Sequence, residues 1–525
     1  METVVVSDMH LSEAQPPEPR RPLWMAYKRR EFFIDDDFAR LLGLIERQAT
    51  GPVELVLNGD TFDFDNVTQV PLKGAGRVDW LAKLRGMASE EWMSLYKIEC
   101  IIRDHPVWFE ALGAFVGRGH RAIFVLGNHD VELVWPSVQR RLRQALGLPP
   151  RSLGPEPQAD RASDGAAAKR APDGPGGRAD EDFAPDSLRP PEPVVFCAWF
   201  YLSAGDSFIS HGSQYDRNCV TKSPINPLIL VRGNPQVRIP FGDLAGRYLL
   251  NGMGYFNPHA AENYIMSARQ YLRFFFRYML ITQPLLAWSW LWGAVVTFVV
   301  TLRSHLRPSM RDPLLVEEKV QAIAWRSNAT PSMVRKLNEL NVPSAASNPI
   351  RILRELWLDR AALLLAAVYG AWQLVLLVNI ALPVSPLWGL MPLALFVPVF
   401  VMYASSVNPT VFRQPLLTPR RAELIVKITG AKRVIFGHTH RPEHCEVGPV
   451  SYFNQGFWSP AFHEPECVNR VGTQTFVRIR PGTGAGERTA ELCEWPPGAS
   501  EPRPFQALDG AECCGPGEEA PESIE

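Results

Sequence analysis

The sequence predicts an α/β fold interrupted by a helical membrane region, and three observations carry that expectation. Through the first 148 residues, short apolar runs alternate with helical patterns such as DDFARLLGLIERQA (36 to 49), the rhythm of an α/β domain. The rhythm resumes at VVFCAWFYLS and SFISHG, and again far downstream at AELIVKITGAKRVIFGHTH. Between these blocks run two long stretches without a charged residue, from Arg277 to Arg303 and from Arg360 to Arg413.

Composition narrows the classes of function. At 525 residues the chain has room for two or three units. Its 54 basic and 55 acidic residues leave no global attraction to polyanions, so no nucleic-acid partner is expected. The eight cysteines show no CxxC spacing, which in a chain this large points to reduced thiols in a cytoplasmic compartment. METVVVSDMH reaches a strand-like VVV within three residues, so a cleaved signal peptide is not expected.

The organisation follows from shifts in composition. The α/β domain covers 1–148, continues over 194–220 and closes over 420–481. Residues 149–193, rich in Pro, Gly, Ala and charge, bury too little apolar surface to offset ordering entropy and are expected to be a disordered insertion. The Gly/Pro/Glu-rich stretch 482–525 is expected to be a disordered tail. A helical insert fills 221–419, with membrane segments at about 279–302, 361–382 and 387–405.

Five short motifs share one design, an apolar β-type run ending in polar residues. They are TVVVSDMH (Asp8, His10), VELVLNGD (Asp60), RAIFVLGNHD (Asn128, His129, Asp130), SFISHG (His211) and RVIFGHTH (His438, His440). Side chains at i and i+2 of an extended chain point the same way, so Asp8 with His10, and His438 with His440, can each converge on one point. Gly59, Gly127, Gly212 and Gly437 permit close backbone approach or positive φ at these turns. Carboxylate, carboxamide oxygen and imidazole suit borderline divalent ions, manganese first, with iron, zinc, cobalt or nickel as alternatives. An all-thiolate site is not expected, because no cysteine sits near any motif. His105, His120, His259, His305, His444 and His463 lack such context and are expected to be structural or exposed.

The series SDMH, GDTFD, GNHD, SHG and GHTH resembles the calcineurin-like metallophosphoesterase superfamily over about 1–148, 194–220 and 420–480. The resemblance implies a two-sheet β-sandwich flanked by helices, with a dinuclear metal centre at the strand ends. It implies that one metal takes Asp8, His10 and His440 and the other Asn128, His211 and His438, with Asp60 bridging. It places His129 beside the reacting phosphate and has Asp130 orient it. The SD-x-H-L-S opening and GHTH ending are also similar to UDP-2,3-diacylglucosamine hydrolases, which usually carry Arg in GN-x-D where this chain has His129.

Physical chemistry accommodates those roles. Two ions about 3.5–4 Å apart can hold a hydroxide for in-line attack on phosphorus while neutralising its oxygens. A carboxylate suits the bridge because its two oxygens serve two cations, and a histidine that is not a ligand can protonate the leaving oxygen. In HGSQYDRNCVTK, Gln214, Asp216, Arg217 and Asn218 are expected to line the substrate entry, with Arg217 as a phosphate clamp and Asn218 beside it.

Membrane segments inside this site impose a topological condition. An odd number of crossings would leave His438 and His440 on the opposite side from Asp8 through His211, so the count must be even. Trp288, Trp290 and Trp292 lie near the middle of the first segment, where a spanning helix rarely keeps tryptophan. That segment is therefore expected to be re-entrant or interfacial, and the later two to form a hairpin around PVSP (383 to 386). The competing even solution has the first segment cross and one of the later two return. Ten Lys or Arg between 303 and 360 favour the cytoplasmic side. Arg269, Arg273 and Arg277, four apart among aromatics, suit either a lipid-headgroup helix or a positive-inside flank.

The expected function is that of an integral cell-membrane enzyme with its catalytic domain facing the cytoplasm. It would use two divalent ions to hydrolyse a phosphate ester or pyrophosphate of a lipid-linked substrate through metal-bound hydroxide, with membrane lipid as its other partner. The alternatives are a tethered phosphodiesterase or phosphatase of a soluble substrate, or a non-catalytic membrane scaffold.

Overall fold

The computed structural model describes residues 1–15, 23–71, 78–149, 192–255, 257, 273–280, 285–310, 313–406, 416–482, 484, 486–496, 499 and 501–505. The expected disordered insertion and Arg269 of the basic helix therefore lie outside the described residues, apart from the insertion's edges. Fourteen strands are found among the described residues. They are β1 (Glu2–Val6), β2 (Val53–Asn58), β3 (Arg121–Val125), β4 (Val194–Cys197), β5 (Phe200–Ser203), β6 (Ser207–Ser210), β7 (Leu228–Val231), β8 (Asn234–Val237), β9 (Arg433–Phe436), β10 (Pro442–Val447), β11 (Val450–Gln455), β12 (Gln474–Pro481), β13 (Arg488–Trp495) and β14 (Arg503–Pro504). The α-helices before the first long apolar stretch are α1 (Asp35–Gln48), α2 (Trp80–Arg85), α3 (Glu91–Asp104), α4 (Pro106–Gly117), α5 (Pro136–Ala145) and α6 (Phe241–Tyr248). Those after it begins are α7 (Leu286–Leu306), α8 (Pro313–Arg326), α9 (Pro331–Glu339), α10 (Pro349–Glu355), α11 (Leu358–Ala381), α12 (Leu390–Ser406) and α13 (Pro419–Thr429).

The strands form two mixed sheets, ordered β14-β13-β12-β1-β2-β3-β4 and β10-β11-β9-β6-β5, beside a separate β7–β8 hairpin. Strands β1 to β4 run parallel, as do β6, β9 and β11. Alternation in the valine run sends Val5 to one face of its sheet and Val4 and Val6 to the other. Val5, Val56, Ile123 and Val125 meet Tyr201, Ile209, Ile435 and Phe453 of the second sheet in one apolar layer. The opposite face of the larger sheet lies under α1, α3, α4 and α5, through Phe38, Ile98, Trp108 and Leu142. The opposite face of the smaller sheet lies under α8, α9 and α13, through Ile323, Val334, Leu337 and Ile425. The chain is thus α/β, with mixed sheets flanked by helices.

Local chemistry sets the helix starts. Asp35, Asp36 and Asp37 occupy the first turn of α1, where carboxylates meet the positive end of the helix dipole. Proline opens α4, α5 and α13, where its missing N–H costs no hydrogen bond.

Three boundaries differ from expectation. The tail does not begin at 482: β13 and β14 extend the larger sheet, because Leu492 faces the inter-sheet layer while Cys493 and Trp495 face the helices. Nor is 221–419 a separate helical insert. It contains the β7–β8 hairpin, and α8 and α9 cover the smaller sheet. The helix in the first apolar stretch spans Leu286–Leu306 and packs along α6, burying Ala294, Thr297 and Thr301 while Trp288 stays exposed.

Two helices are long and apolar enough to cross a membrane, Leu358–Ala381 and Pro386–Ser405 when the latter includes its leading turn, and both are largely exposed. They pack as a hairpin whose open ends are joined by the Tyr403 hydroxyl donating to Asp359 Oδ2 at 2.7 Å.

Four buried charges join α6 to the first block. Arg247 pairs with Asp65 and lies 3.3 Å from Glu132, which meets Lys97 at 2.6 Å. Glu132 serves two buried cations at once, so Glu132→Gln should cost about 3–5 kcal/mol of stability. A lowered melting temperature for the purified protein would show it.

Candidate metal centre

All five sequence motifs deliver their residues to one end of the two sheets. Asp8 and His10 follow β1, Asp60 follows β2, Asn128 to Asp130 follow β3, His211 follows β6, and His438 and His440 follow β9. These are carboxyl ends of parallel-paired strands, where α/β proteins place their sites.

The backbone reaches this arrangement differently from the i, i+2 expectation. Strands β1 and β9 stop at Val6 and Phe436, and Asp8, His10, Asp60, His438 and His440 all take positive φ, between 48° and 68°. Left-handed backbone costs a non-glycine residue about 1–3 kcal/mol and collects at functional sites. Asp and His tolerate it better than most residues. Consequently His438 and His440 diverge: His438 joins Asp60 and His211, whereas His440 joins Asp8 and His10.

Each cluster could hold a metal ion. His440 Nε2 lies 3.2 Å from both Asp8 Oδ1 and His10 Nε2. Asp60 Oδ2 lies 3.0 Å from His211 Nε2 and 4.0 Å from His10 Nε2, so Asp60 stands between the clusters. Its other oxygen, Oδ1, accepts the His129 N–H at 2.9 Å. His211 Nδ1 sits 3.0 Å from the Asn58 carbonyl, which can only accept; the proton is therefore on Nδ1 and Nε2 is the face offered to the site.

A divalent cation fits what these residues lack. Among the described residues, Asp8 Oδ1, Asn128 Oδ1 and His211 Nε2 are buried without a hydrogen bond of proper geometry. Such atoms cost stability unless something occupies them. Oxygen and imidazole donors together suit a borderline divalent ion.

Charge at the centre is strongly coupled to burial. Burial opposes ionisation of Asp60, but His211, His129 and His10 outweigh it and hold its carboxyl well below the usual range. Burial likewise opposes charge on His211, but Asp60 and Asp8 raise its imidazole to about 9.

The residues around His129 correct one expected role. Asp130 does not orient His129: its two oxygens accept the Gly127 and Thr61 amides at 2.6 and 2.9 Å, because the carboxylate turns inward to close the loop after β3. The ring instead lies between Asp63 Oδ1, 3.3 Å from Nδ1, and Asp243 Oδ1, 3.5 Å from Nε2. Asp63 was in view as the last residue of GDTFD, whereas Asp243 sits in FGDLAGRY on α6, which carries no motif.

The HGSQYDRNC segment also divides its work. Asp216 faces His438, Oδ2 to Nε2 at 3.0 Å, rather than a substrate path. Asn218 is buried, its N–H donating to Asp216 Oδ1 at 2.8 Å. Gln214 is buried and donates to the Ser210 hydroxyl. Arg217 is half-buried; burial first, and then the like charge of Arg217, lower the pKa of Arg351 on α10. Cys219 is near His438 in space despite its distance from GHTH in the chain. Burial, then Asp216, push its thiol well up, and with Asp216 and His438 it forms a further group that could hold a metal ion, contrary to the expectation that no cysteine is near a motif.

No protein-family model and no curated protein matches this chain.

Two tests address the centre. A methyl group at Gly127 would run into the Asp60 carboxylate, as one at Gly437 would into that of Asp8. Gly127→Ala is expected to weaken divalent-ion binding about 10- to 100-fold in a chelator competition while leaving far-UV circular dichroism unchanged. Because a ligating imidazole must be neutral, an ion entering at pH 7–8 displaces the His211 proton, and affinity rises with pH below about 9. Titration calorimetry in two buffers of different ionisation enthalpy should register about one released proton or more.

Proposed function

We propose that the protein is a membrane-bound phosphoesterase with a dinuclear metal centre, of the calcineurin-like metallophosphoesterase type, acting on a lipid-linked phosphate ester or pyrophosphate. The observation that carries this reading is Asp60, standing between two carboxylate–histidine clusters at strand ends. Asp8, His10 and His440 would hold one ion and Asn128, His211 and His438 the other, manganese being the first candidate. When bound, such a pair supplies Lewis acidity toward a phosphoryl group and acidifies water.

The chain's own residues supply the rest. The His129 side chain is 24% exposed, more open than those of His10, His211, His438 or His440, so it faces the side from which substrate comes. From there it donates to a phosphoryl oxygen or protonates the leaving oxygen, held in orientation by Asp63 and Asp243. Arg217, on the segment that follows His211, and Arg351 on α10, whose charges repel each other, suit the substrate's phosphate.

A lipid-linked substrate is favoured by what surrounds this centre. The α11–α12 hairpin exposes Leu365, Leu377, Ile380, Leu395 and Met402, side chains that water would not support in such number. It leaves and returns on one side, as ligands on both of its flanks require. Helix α7 buries one face on α6 and exposes Trp288 and Trp292, with Trp292 stacked near Trp80 at 6.2 Å, an arrangement suited to the membrane interface.

The test is hydrolysis of a panel of phospholipids, nucleotide-diphosphate lipids and a chromogenic soluble phosphodiester with manganese present. Wild type should cleave a lipid substrate, and His129→Ala should cut turnover about 10²- to 10⁴-fold with metal content unchanged. Asp60→Ala should lose metal and activity together. Activity confined to water-soluble esters would sink the lipid reading.

A further inference from the structure

We infer that Asp243, carried on α6 between the second catalytic block and the membrane region, is a positioning residue for the metal centre. It accepts the Asn128 amide and so presents the Asn128 carbonyl oxygen to the Asp60–His211–His438 cluster. The inference rests on the dinuclear-centre reading above.

Asp243 is 1% exposed, and its Oδ1 accepts from Asn128 Nδ2 at 2.8 Å. The Asn128 nitrogen is the donor in this contact, so the NH₂ end of its amide is the end that faces α6. The other end, Oδ1, is buried and lacks a hydrogen-bond partner among the described residues. That is the atom a divalent ion would use. Without Asp243, rotation about the last side-chain bond would exchange nitrogen for oxygen with little steric change, and an NH₂ group cannot ligate a cation.

Asp243 is itself held firmly. One turn along α6, Arg247 is bound into the buried network with Asp65, Glu132 and Lys97. At the start of the helix, the Gly242 N–H donates to the Asn218 carbonyl at 2.8 Å. Asn218 in turn donates to Asp216, the carboxylate against His438. Helix α6 therefore braces two of the three side chains assigned to the second ion. One carboxylate on it also touches both Asn128 and His129 of the GNHD motif.

The test follows Co(II) binding by the visible spectrum of the full chain in detergent at pH 8, with wild type expected to take up two equivalents. Asp243→Leu cannot accept a hydrogen bond and should weaken one equivalent about 10- to 100-fold. The other equivalent, on Asp8, His10 and His440, should bind as in wild type and report an intact fold. Asp243→Asn keeps an acceptor oxygen and should stay within about threefold of wild type for both. Asp243→Ser, too short to reach the amide, gives the same readout as leucine should the larger side chain not be accommodated.

The inference is overturned if the leucine or serine variant binds both equivalents normally, if both equivalents weaken equally, or if Asp243→Asn is as impaired as Asp243→Leu. Wild type that takes up no Co(II) overturns the metal-centre reading and this inference with it. Normal uptake by wild type without phosphoesterase activity would instead count against the proposed function alone.

Discussion

The candidate metal centre of this protein depends on one buried carboxylate. Asp60 has left-handed backbone, its Oδ1 is occupied by the His129 amide, and its Oδ2 faces histidines from two different sheets. Placing a carboxylate so deep is costly unless charge of the other sign surrounds it. Gly127, with no side chain, allows the loop after β3 to close directly on it. The neighbouring motifs can be read as solutions to this one electrostatic demand.

Those solutions come from distant parts of the chain. Parallel pairing of β6 and β9, in register at Phe208 with Val434 and Ile209 with Ile435, brings His211 beside His438 across more than two hundred residues. The intervening chain must begin and end at adjacent strands, whatever it does between them. It meets this condition with a hairpin closed at its base and with helices that return to cover the smaller sheet.

Much of this was legible in the sequence, for identifiable reasons. Apolar runs ending in Asp, Asn or His mark strand ends, and the seven ligand candidates do gather at one end of the sheets. What failed was the assumption that the strand geometry continues through the ligands. Positive φ at His438 and His440 separates two residues that an extended chain would have aligned. Asp130 looked like an orienting group because it is adjacent in sequence, yet loop closure consumes both of its oxygens. Composition also misjudged 482 onward, since RTAELCEW is short and surrounded by Gly and Pro but alternates correctly for a strand. Asp243 could not be found at all, because nothing in FGDLAGRY distinguishes a site carboxylate from a helix-start acid.

The base of the hairpin has a practical meaning for anyone wishing to handle this protein in water. Deleting all of 221–419 would remove α6 with its buried arginine and strip α8 and α9 from the smaller sheet. An excision confined to the two exposed arms, between Asp359 and Tyr403, removes the greasy surface at the point where the arms already touch. The seam for such a shortened variant is thus drawn by a single hydroxyl–carboxylate contact, and it leaves every strand end that carries a candidate ligand in place.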